Sequence, residues 1–194
     1  DLMTINLECP MTNQGYVHPL KEFCFRSRPE AVAGVTECGA GVVCLANNHI
    51  IDYMEPGMQQ TLQVLANPTI YSPYARNTSI RHTGGGMDLE EASQPVFFTK
   101  SGLRIGMAGL CSVNGLSGNE QPYFDAGYEK PGMLFLNEAN LKNVIHRIES
   151  VAELAVVLIH GGVEYDTTPS SYVQEHARMA VGLGADLFVC HQPP

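Results

Sequence analysis

The chain has 194 residues, 44% of them hydrophobic, which is enough for one domain with a buried core. It carries 20 acidic and 11 basic residues, for a formal net charge of −9, and the basic residues form no cluster. This balance argues against nucleic acid or an anionic membrane surface as a partner.

Short apolar runs alternate with segments of helical periodicity, a pattern typical of a layered α/β domain with a largely parallel sheet. We predict strands near residues 2–7, 41–46, 95–99, 103–110, 154–159 and 186–190. We predict helices within residues 28–40, 57–67, 137–151 and 169–186. The turn Lys100-Ser101-Gly102 predicts a hairpin that adds antiparallel strands, and segments 82–88 and 112–135 are predicted to be loops.

The cysteines and the apolar runs bear on the compartment. The six cysteines follow no CxxC spacing, and free thiols favour a reducing compartment such as the cytoplasm, although an even number could also pair. Cys44 and Cys190 lie in apolar strand-like runs, where we expect them to behave as small hydrophobes. No apolar run approaches the roughly 18 residues of a transmembrane helix. Residues 1–8 already have the pattern of a strand, so we expect the natural N-terminus to lie upstream.

Polar side chains follow four of the predicted strands. In open α/β sheets, ligands collect at the carboxyl ends of the strands, so residues far apart in sequence are expected to converge there. Each residue alone also has a structural explanation, as a hydrogen-bonded histidine, a turn asparagine or a solvated strand end. The residues in question are Glu8, Asn47, Asn48, His49, His160 and His191.

Carboxylate, amide oxygen and imidazole together favour a divalent ion such as Mn, Fe, Zn or Mg. Two such ions could clamp a phosphoryl or carbonyl oxygen and activate a water. Two ions need roughly seven or eight ligands, and the chain visibly supplies fewer. The remaining histidines, His18, His82, His146 and His176, are predicted to be structural.

Several motifs in chain order resemble one family. They are NLE at 6–8, FRSRPE at 25–30, LANNHIIDY at 45–53, TGGGMDLEEASQP at 83–95, HGGVEY at 160–165, Pro169, Gln174 and GAD at 184–186. These motifs are similar to those of the CapA-like proteins of poly-γ-glutamate capsule synthesis. The resemblance implies a calcineurin-like metallophosphatase fold, with mixed β-sheets flanked by helices and a dinuclear metal centre at the strand ends.

The resemblance also implies roles for individual residues. Glu8 matches the metal-bridging carboxylate, Asn48 an amide ligand and His160 a further metal ligand. His49 matches the imidazole that donates a hydrogen bond or a proton to the substrate or leaving group, and Asp52 is expected to orient it. The residues expected to line the substrate cleft are Asn47, Glu164 and Tyr165.

The chain departs from the family pattern at both ends. Family members usually carry a Gly-Asp motif on a preceding strand, and none precedes Asp1. They usually end the last strand with H-P-H, where Gln192 and Pro194 stand here, which leaves His191 as the adjacent metal-ligand candidate. We therefore expect residues 1–194 to be a single CapA-like domain that lacks the first strand and the C-terminal strands.

Three functional hypotheses follow. The first is a metal-dependent hydrolase that acts on a phosphoester or on an anionic polymer such as poly-γ-glutamate, through attack by a metal-activated water with His49 as the acid. The second is a non-catalytic polymer-binding or export component with a degenerate metal site. The third is a small-molecule binding domain, since fold alone does not fix chemistry. An acidic polymer needs a metal or a local basic patch on this acidic chain. The family resemblance also allows the protein to be located in the cell envelope or outside the cell.

Overall fold

The computed structural model describes residues 2–113, 123–163 and 166–191. A first sheet contains three parallel strands in the order β1-β2-β3. Its strands are β1 (Met3–Asn6), β2 (Ala40–Cys44) and β3 (Arg81–Thr83). The connecting helices are α1 (Val32–Glu37), which follows a 3-10 turn at Pro29–Ala31, α2 (Met54–Ala66) and α3 (Pro68–Tyr71).

A second sheet contains four strands, numbered by chain position, in the order β5-β6-β8-β9. Its first two strands form the predicted antiparallel hairpin, and the remaining strands are parallel. The hairpin turn is confirmed at Ser101 and Gly102, both of which have positive φ. The strands are β5 (Val96–Lys100), β6 (Leu103–Cys111), β8 (Leu154–His160) and β9 (Leu187–His191).

Two capped helices cover the second sheet. Helix α5 (Glu138–Glu149) begins after Asn137, whose side chain accepts a hydrogen bond from Asn140 N, and α6 (Ser171–Gly182) begins after Ser170 in the same way. The apolar stripe predicted for α5 is confirmed, since it packs against the sheet as a buried row of Leu141, Val144, Ile145 and Ile148.

The prediction that segments 82–88 and 112–135 are loops needs correction. Segment 82–88 contains the end of β3 and the two-residue strand β4 (Gly85–Gly86), which pairs with β7 (Gly132–Met133) inside the second predicted loop. A short helix, α4 (Leu89–Ala92), follows directly. Glycine-rich runs carry no hydrophobic alternation, so the period-2 signal of a strand is absent from them.

The two main sheets pack against each other at glycines, where there is no room for a side chain. A Cβ on Gly109 of β6 would lie 2.5 Å from Cys44 Sγ, and one on Gly84 would lie 2.6 Å from the Cβ of Ala46. Burial raises the pKa of the Cys44 thiol to about 12, so this cysteine behaves as a small hydrophobe as predicted. Cys190 does not, because it is exposed on β9.

The topology brings the carboxyl ends of parallel strands from both sheets to one region. Strands β1 and β2 end beside each other in the first sheet, and β8 and β9 end in register in the second, with His160 opposite His191. Among the described residues, no helix is long and apolar enough to span a membrane. The fold therefore places the polar residues that follow these strands near one another.

Candidate metal and hydrolase site

Three donor atoms from three strand ends lie together. Glu8 follows β1, Asn48 lies in the turn after β2, and His160 is the last residue of β8. The Nε2 atom of His160 lies 3.0 Å from Asn48 Oδ1 and 3.7 Å from Glu8 Oε1. We refer to Glu8, Asn48 and His160 as the strand-end cluster, and it joins the two sheets.

His160 is held as a neutral imidazole. Its side chain is fully buried, and burial, with smaller contributions from His191 and His49, lowers its pKa from 6.5 to about 3. A metal ligand must present an unprotonated nitrogen, so this environment suits a ligand.

His191 lies on the other side of the His160 ring from Asn48. The Nδ1 atoms of the two rings are 3.2 Å apart, so one of them carries the hydrogen that joins them. Burial lowers the pKa of His191. Its Nε2 is buried and has no hydrogen-bond partner among the described residues, which makes it an open nitrogen donor next to the strand-end cluster.

Asn47 ties the two strand ends of the first sheet together. Its side-chain amide donates to Asn6 Oδ1 and to Leu7 O, at 3.1 and 2.9 Å, and its Oδ1 accepts from the backbone N–H of His49 at 3.1 Å. The side chain is fully buried. Its polar atoms are therefore all hydrogen-bonded to the protein, and they hold the turn that presents Asn48 and His49.

His49 is oriented by a buried carboxylate. Its Nδ1 lies 2.8 Å from Asp52 Oδ2, which also accepts from the backbone N–H of Phe25 at 2.7 Å. The Phe25 ring packs on the His49 ring with the centroids 4.6 Å apart. His49 Nε2 has no protein partner in the described part of the chain, so this nitrogen is free to face a ligand.

Lys21 was missed by the sequence analysis. Its ammonium donates to Asp52 Oδ1 and to the backbone carbonyl of Asn48, the latter at 2.8 Å, and its side chain is 6% exposed. A carboxylate directly after Ile50 and Ile51 signals a buried charge that needs a cation. That signal does not identify Lys21 as the cation that pairs with Asp52, because Lys21 lies in an irregular segment with no pattern of its own.

The donor set fits a divalent ion only with the asparagine included. Within residues 2–113, 123–163 and 166–191, no three His, Cys, Asp or Glu side chains lie close enough to hold a metal by themselves. Asn48 completes a carboxylate, amide and imidazole set of the kind that divalent ions accept. Glu164, Tyr165, Gln192 and Pro194 lie outside the described residues.

The architecture has a counterpart among solved structures. It resembles a crystal structure from Staphylococcus aureus assigned as a 5′-nucleotidase in complex with α-ketoglutarate, with a TM-score of 0.51. The match covers 82% of this chain and 30% of that chain at 17% sequence identity. At this identity the likeness shows the fold alone, and it supports the predicted metallophosphatase fold of mixed sheets flanked by helices.

Curated relatives match the chain along its length. It is 30% identical over 195 residues to the PGA biosynthesis protein CapA of Bacillus subtilis, and 28% identical over 204 residues to the capsule biosynthesis protein CapA of Bacillus anthracis. Both matches cover 100% of this chain, which spans 47% and 45% of those proteins, about half their length. The family described as bacterial capsule synthesis protein PGA_cap matches residues 1–194. The chain therefore belongs to the PGA_cap family of bacterial capsule synthesis proteins.

Proposed function

We propose that this chain carries the hydrolase site of a capsule-synthesis protein and cleaves a phosphoester or amide bond with the help of a divalent ion. The observation that carries the proposal is the strand-end cluster, in which His160 Nε2 meets Asn48 Oδ1 at 3.0 Å and Glu8 Oε1 at 3.7 Å. Donors drawn from three strands of two sheets have no need to converge in a purely structural protein.

In this proposal Glu8, Asn48 and His160 hold the ion, and His191 offers a further nitrogen. Such an ion supplies Lewis-acid polarisation of a phosphoryl or carbonyl oxygen when it is bound. The protein's contribution is to present a neutral His160 and an oriented Asn48. The Lys21 contact to the Asn48 carbonyl and the Asn47 contacts to the turn fix that orientation.

His49 is the proposed general acid. With Nδ1 held by Asp52, Nε2 is the nitrogen that delivers a proton to the leaving group. Lys21 on the opposite oxygen of Asp52 balances the buried carboxylate. Lys21 and Asp52 are therefore positioning residues, whereas His49 touches the substrate.

The substrate class is proposed from the relatives. Two of them are named for PGA or capsule biosynthesis, so we propose an anionic polymer of that kind, or a phosphoester, as the substrate. A chain with a net charge of −9 needs local positive charge to hold such a substrate. A divalent ion at the strand-end cluster supplies part of it.

The test is turnover by the purified chain supplied in turn with Mn, Zn, Fe and Mg. The substrates are p-nitrophenyl phosphate and a γ-linked glutamate oligomer. We expect His49→Gln to reduce kcat about 100-fold or more, and Asn48→Ala to raise the metal concentration needed for half-maximal activity. The control is His146→Gln, which changes an exposed histidine of α5. Equal turnover by His49→Gln and the unsubstituted chain, or no turnover with any of the four metals, contradicts the proposal.

A further inference from the structure

A polar cavity is lined by residues that neighbour the partners of His49 in the chain. It has a volume of about 440 Å³. Its lining contains two arginines, two uncharged polar residues, a proline and one acidic residue: Arg26, Arg28, Thr12, Asn13, Pro29 and Glu30. Two guanidinium groups on one cavity stand out in a chain with 11 basic and 20 acidic residues.

One wall of the cavity is fixed from below by a buried glutamine. Gln60 of α2 accepts from Thr12 Oγ1 at 2.6 Å and from the backbone N–H of Asn13 at 2.8 Å, and its own amide donates to Asn13 Oδ1 at 2.9 Å. Gln60 is 5% exposed. The wall is therefore ordered by the protein itself, and the side-chain Nδ2 of Asn13, which has no hydrogen-bond partner among the described residues, is available as a donor.

The arginines of the cavity carry uncompensated charge. Arg26 lies over the Tyr53 ring, 4.6 Å from its centroid, which orders the guanidinium without neutralising it. Among the described residues, Arg76 and Arg147 pair with carboxylates, and Arg26 and Arg28 do not. Glu30 lines the same cavity without an ion pair to either arginine, so its carboxylate opposes the binding of an anion there.

The cavity and the His49 cleft share two chain segments. Phe25, which packs on His49, directly precedes Arg26, and Asp52, which holds His49, directly precedes Tyr53. Consecutive Cα atoms are about 3.8 Å apart, so these two segments run directly from the surroundings of His49 to the lining of the cavity.

We propose that this cavity is an oxyanion subsite that holds a carboxylate or phosphate group of the substrate beside the group bound at the strand-end cluster. Guanidinium forks recognise both anions through paired charge-assisted hydrogen bonds. In a polymer with one carboxylate per unit, the unit next to the cleaved bond always carries a carboxylate that the cavity can hold. The assignment to a substrate group rests on the proposed function, whereas binding of the anion does not.

The experiment uses metal-free protein, stripped on a chelating resin, so that neither a bound ion nor turnover contributes. Isothermal titration with a γ-linked glutamate hexamer and, separately, with inorganic phosphate gives the affinity for each anion. We expect Arg28→Gln to raise the dissociation constant about tenfold and Glu30→Gln to lower it. Arg178→Gln on α6 removes the same charge away from the cavity, and we expect its affinity to equal that of the unsubstituted chain.

The two probes distinguish the source of the anion. Arg28-dependent binding of the hexamer supports a carboxylate subsite, and Arg28-dependent binding of phosphate alone supports a phosphate subsite. Absence of binding to both probes, or equal affinities of Arg28→Gln and Arg178→Gln, overturns the proposal. A chain that binds the anion in this way but fails to hydrolyse any substrate leaves the subsite intact and removes only the proposed catalysis.

Discussion

The two sheets contribute differently built halves to the candidate site. In the half from the first sheet, Asn47, Asp52 and Lys21 are buried and bonded to protein partners on almost every polar atom. In the half from the second sheet, the buried ring of His160 and the half-buried ring of His191 face each other at their Nδ1 atoms, and the buried His191 Nε2 has no partner among the described residues.

This difference separates positioning from binding. The saturated side chains of the first half, Asn47, Asp52 and Lys21, fix where Asn48 and His49 point and have little capacity left for a ligand. The second half keeps neutral nitrogen donors in a buried setting, which is costly unless a ligand uses them. We infer that Asn47, Asp52 and Lys21 act as a rigid frame that presents Asn48 and His49, and that the second half adds neutral nitrogen donors to the metal site.

Among the substitutions of the rigid frame, Asp52→Ala is expected to have the largest effect. The substitution leaves Lys21 buried without its anion and leaves His49 Nδ1 and Phe25 N without an acceptor. We expect the free energy of unfolding to fall by about 3–5 kcal/mol in a urea titration. Asp125→Ala removes the more exposed pair with Lys130 and serves as the control, with a loss of at most about 1 kcal/mol. Equal losses would show that the first half is not a special frame.

Lys21→Met tests the same frame from its cationic side. Asp52 then keeps its contacts to Phe25 and His49 but loses its buried counter-charge. We therefore expect the free energy of unfolding to fall by about 2–3 kcal/mol, less than for Asp52→Ala. In the metal-loaded chain we expect kcat to fall with little change in KM, because Lys21 positions His49 and does not touch the substrate. A change confined to KM would instead place Lys21 in substrate binding.

Gly109→Ala tests whether the two halves are held at a fixed distance. The added Cβ would lie 2.5 Å from Cys44 Sγ and 3.3 Å from the Cβ of Ala46, so the sheets must shift. We expect the free energy of unfolding, measured by thermal or urea denaturation, to fall by about 1–3 kcal/mol. Gly34→Ala in α1 meets nothing within 4 Å and should stabilise the chain by about 0.5–1 kcal/mol. A neutral Gly109→Ala would mean that the packing between the sheets is loose.

The pH dependence of stability probes the second half. The pKa of His160 is about 3 in the folded chain, below the ordinary 6.5. The unfolded state therefore binds more protons, and the stability contributed by the neutral ring is present above pH 6.5 and lost as the pH falls toward 3. Between pH 7.5 and 5.5 we expect His160 to account for a loss of about 1.4 kcal/mol in metal-free buffer.

This contribution is isolated by comparing urea unfolding of the parent chain with that of His160→Gln at both pH values. The variant should lose less stability on acidification, whereas His146→Gln, at an exposed position, should follow the parent. If His160→Gln and the parent change equally with pH, His160 is not held neutral by burial.

Much of the site could be predicted because its local signals are strong. Apolar runs that stop at Glu8, at Asn47-Asn48-His49 and at His160 mark strand ends, and parallel strands share the edge at which they end. Six of the strands, the hairpin and the long helices follow from similar local patterns, whereas β3, β4 and β7 do not. The location of the candidate site therefore follows from local patterns combined with one general rule of sheet topology.

The remaining features depend on contacts that leave no local pattern. Lys21 reaches Asp52 across 31 residues from an irregular segment. The close packing at Gly84 and Gly109 could not be predicted, because glycine has many other uses. The register that sets His191 opposite His160 decides which nitrogens face each other, and a sequence alone does not fix that register.

The most direct test of the central claim is a crystal of the chain soaked in Mn²⁺ and measured for anomalous scattering. We predict a manganese peak within about 2.0–2.3 Å of His160 Nε2 and Asn48 Oδ1, with Glu8 drawn toward the same ion, and loss of that peak in His160→Ala. A peak elsewhere, or none at the strand-end cluster, contradicts a metal site that joins the two sheets.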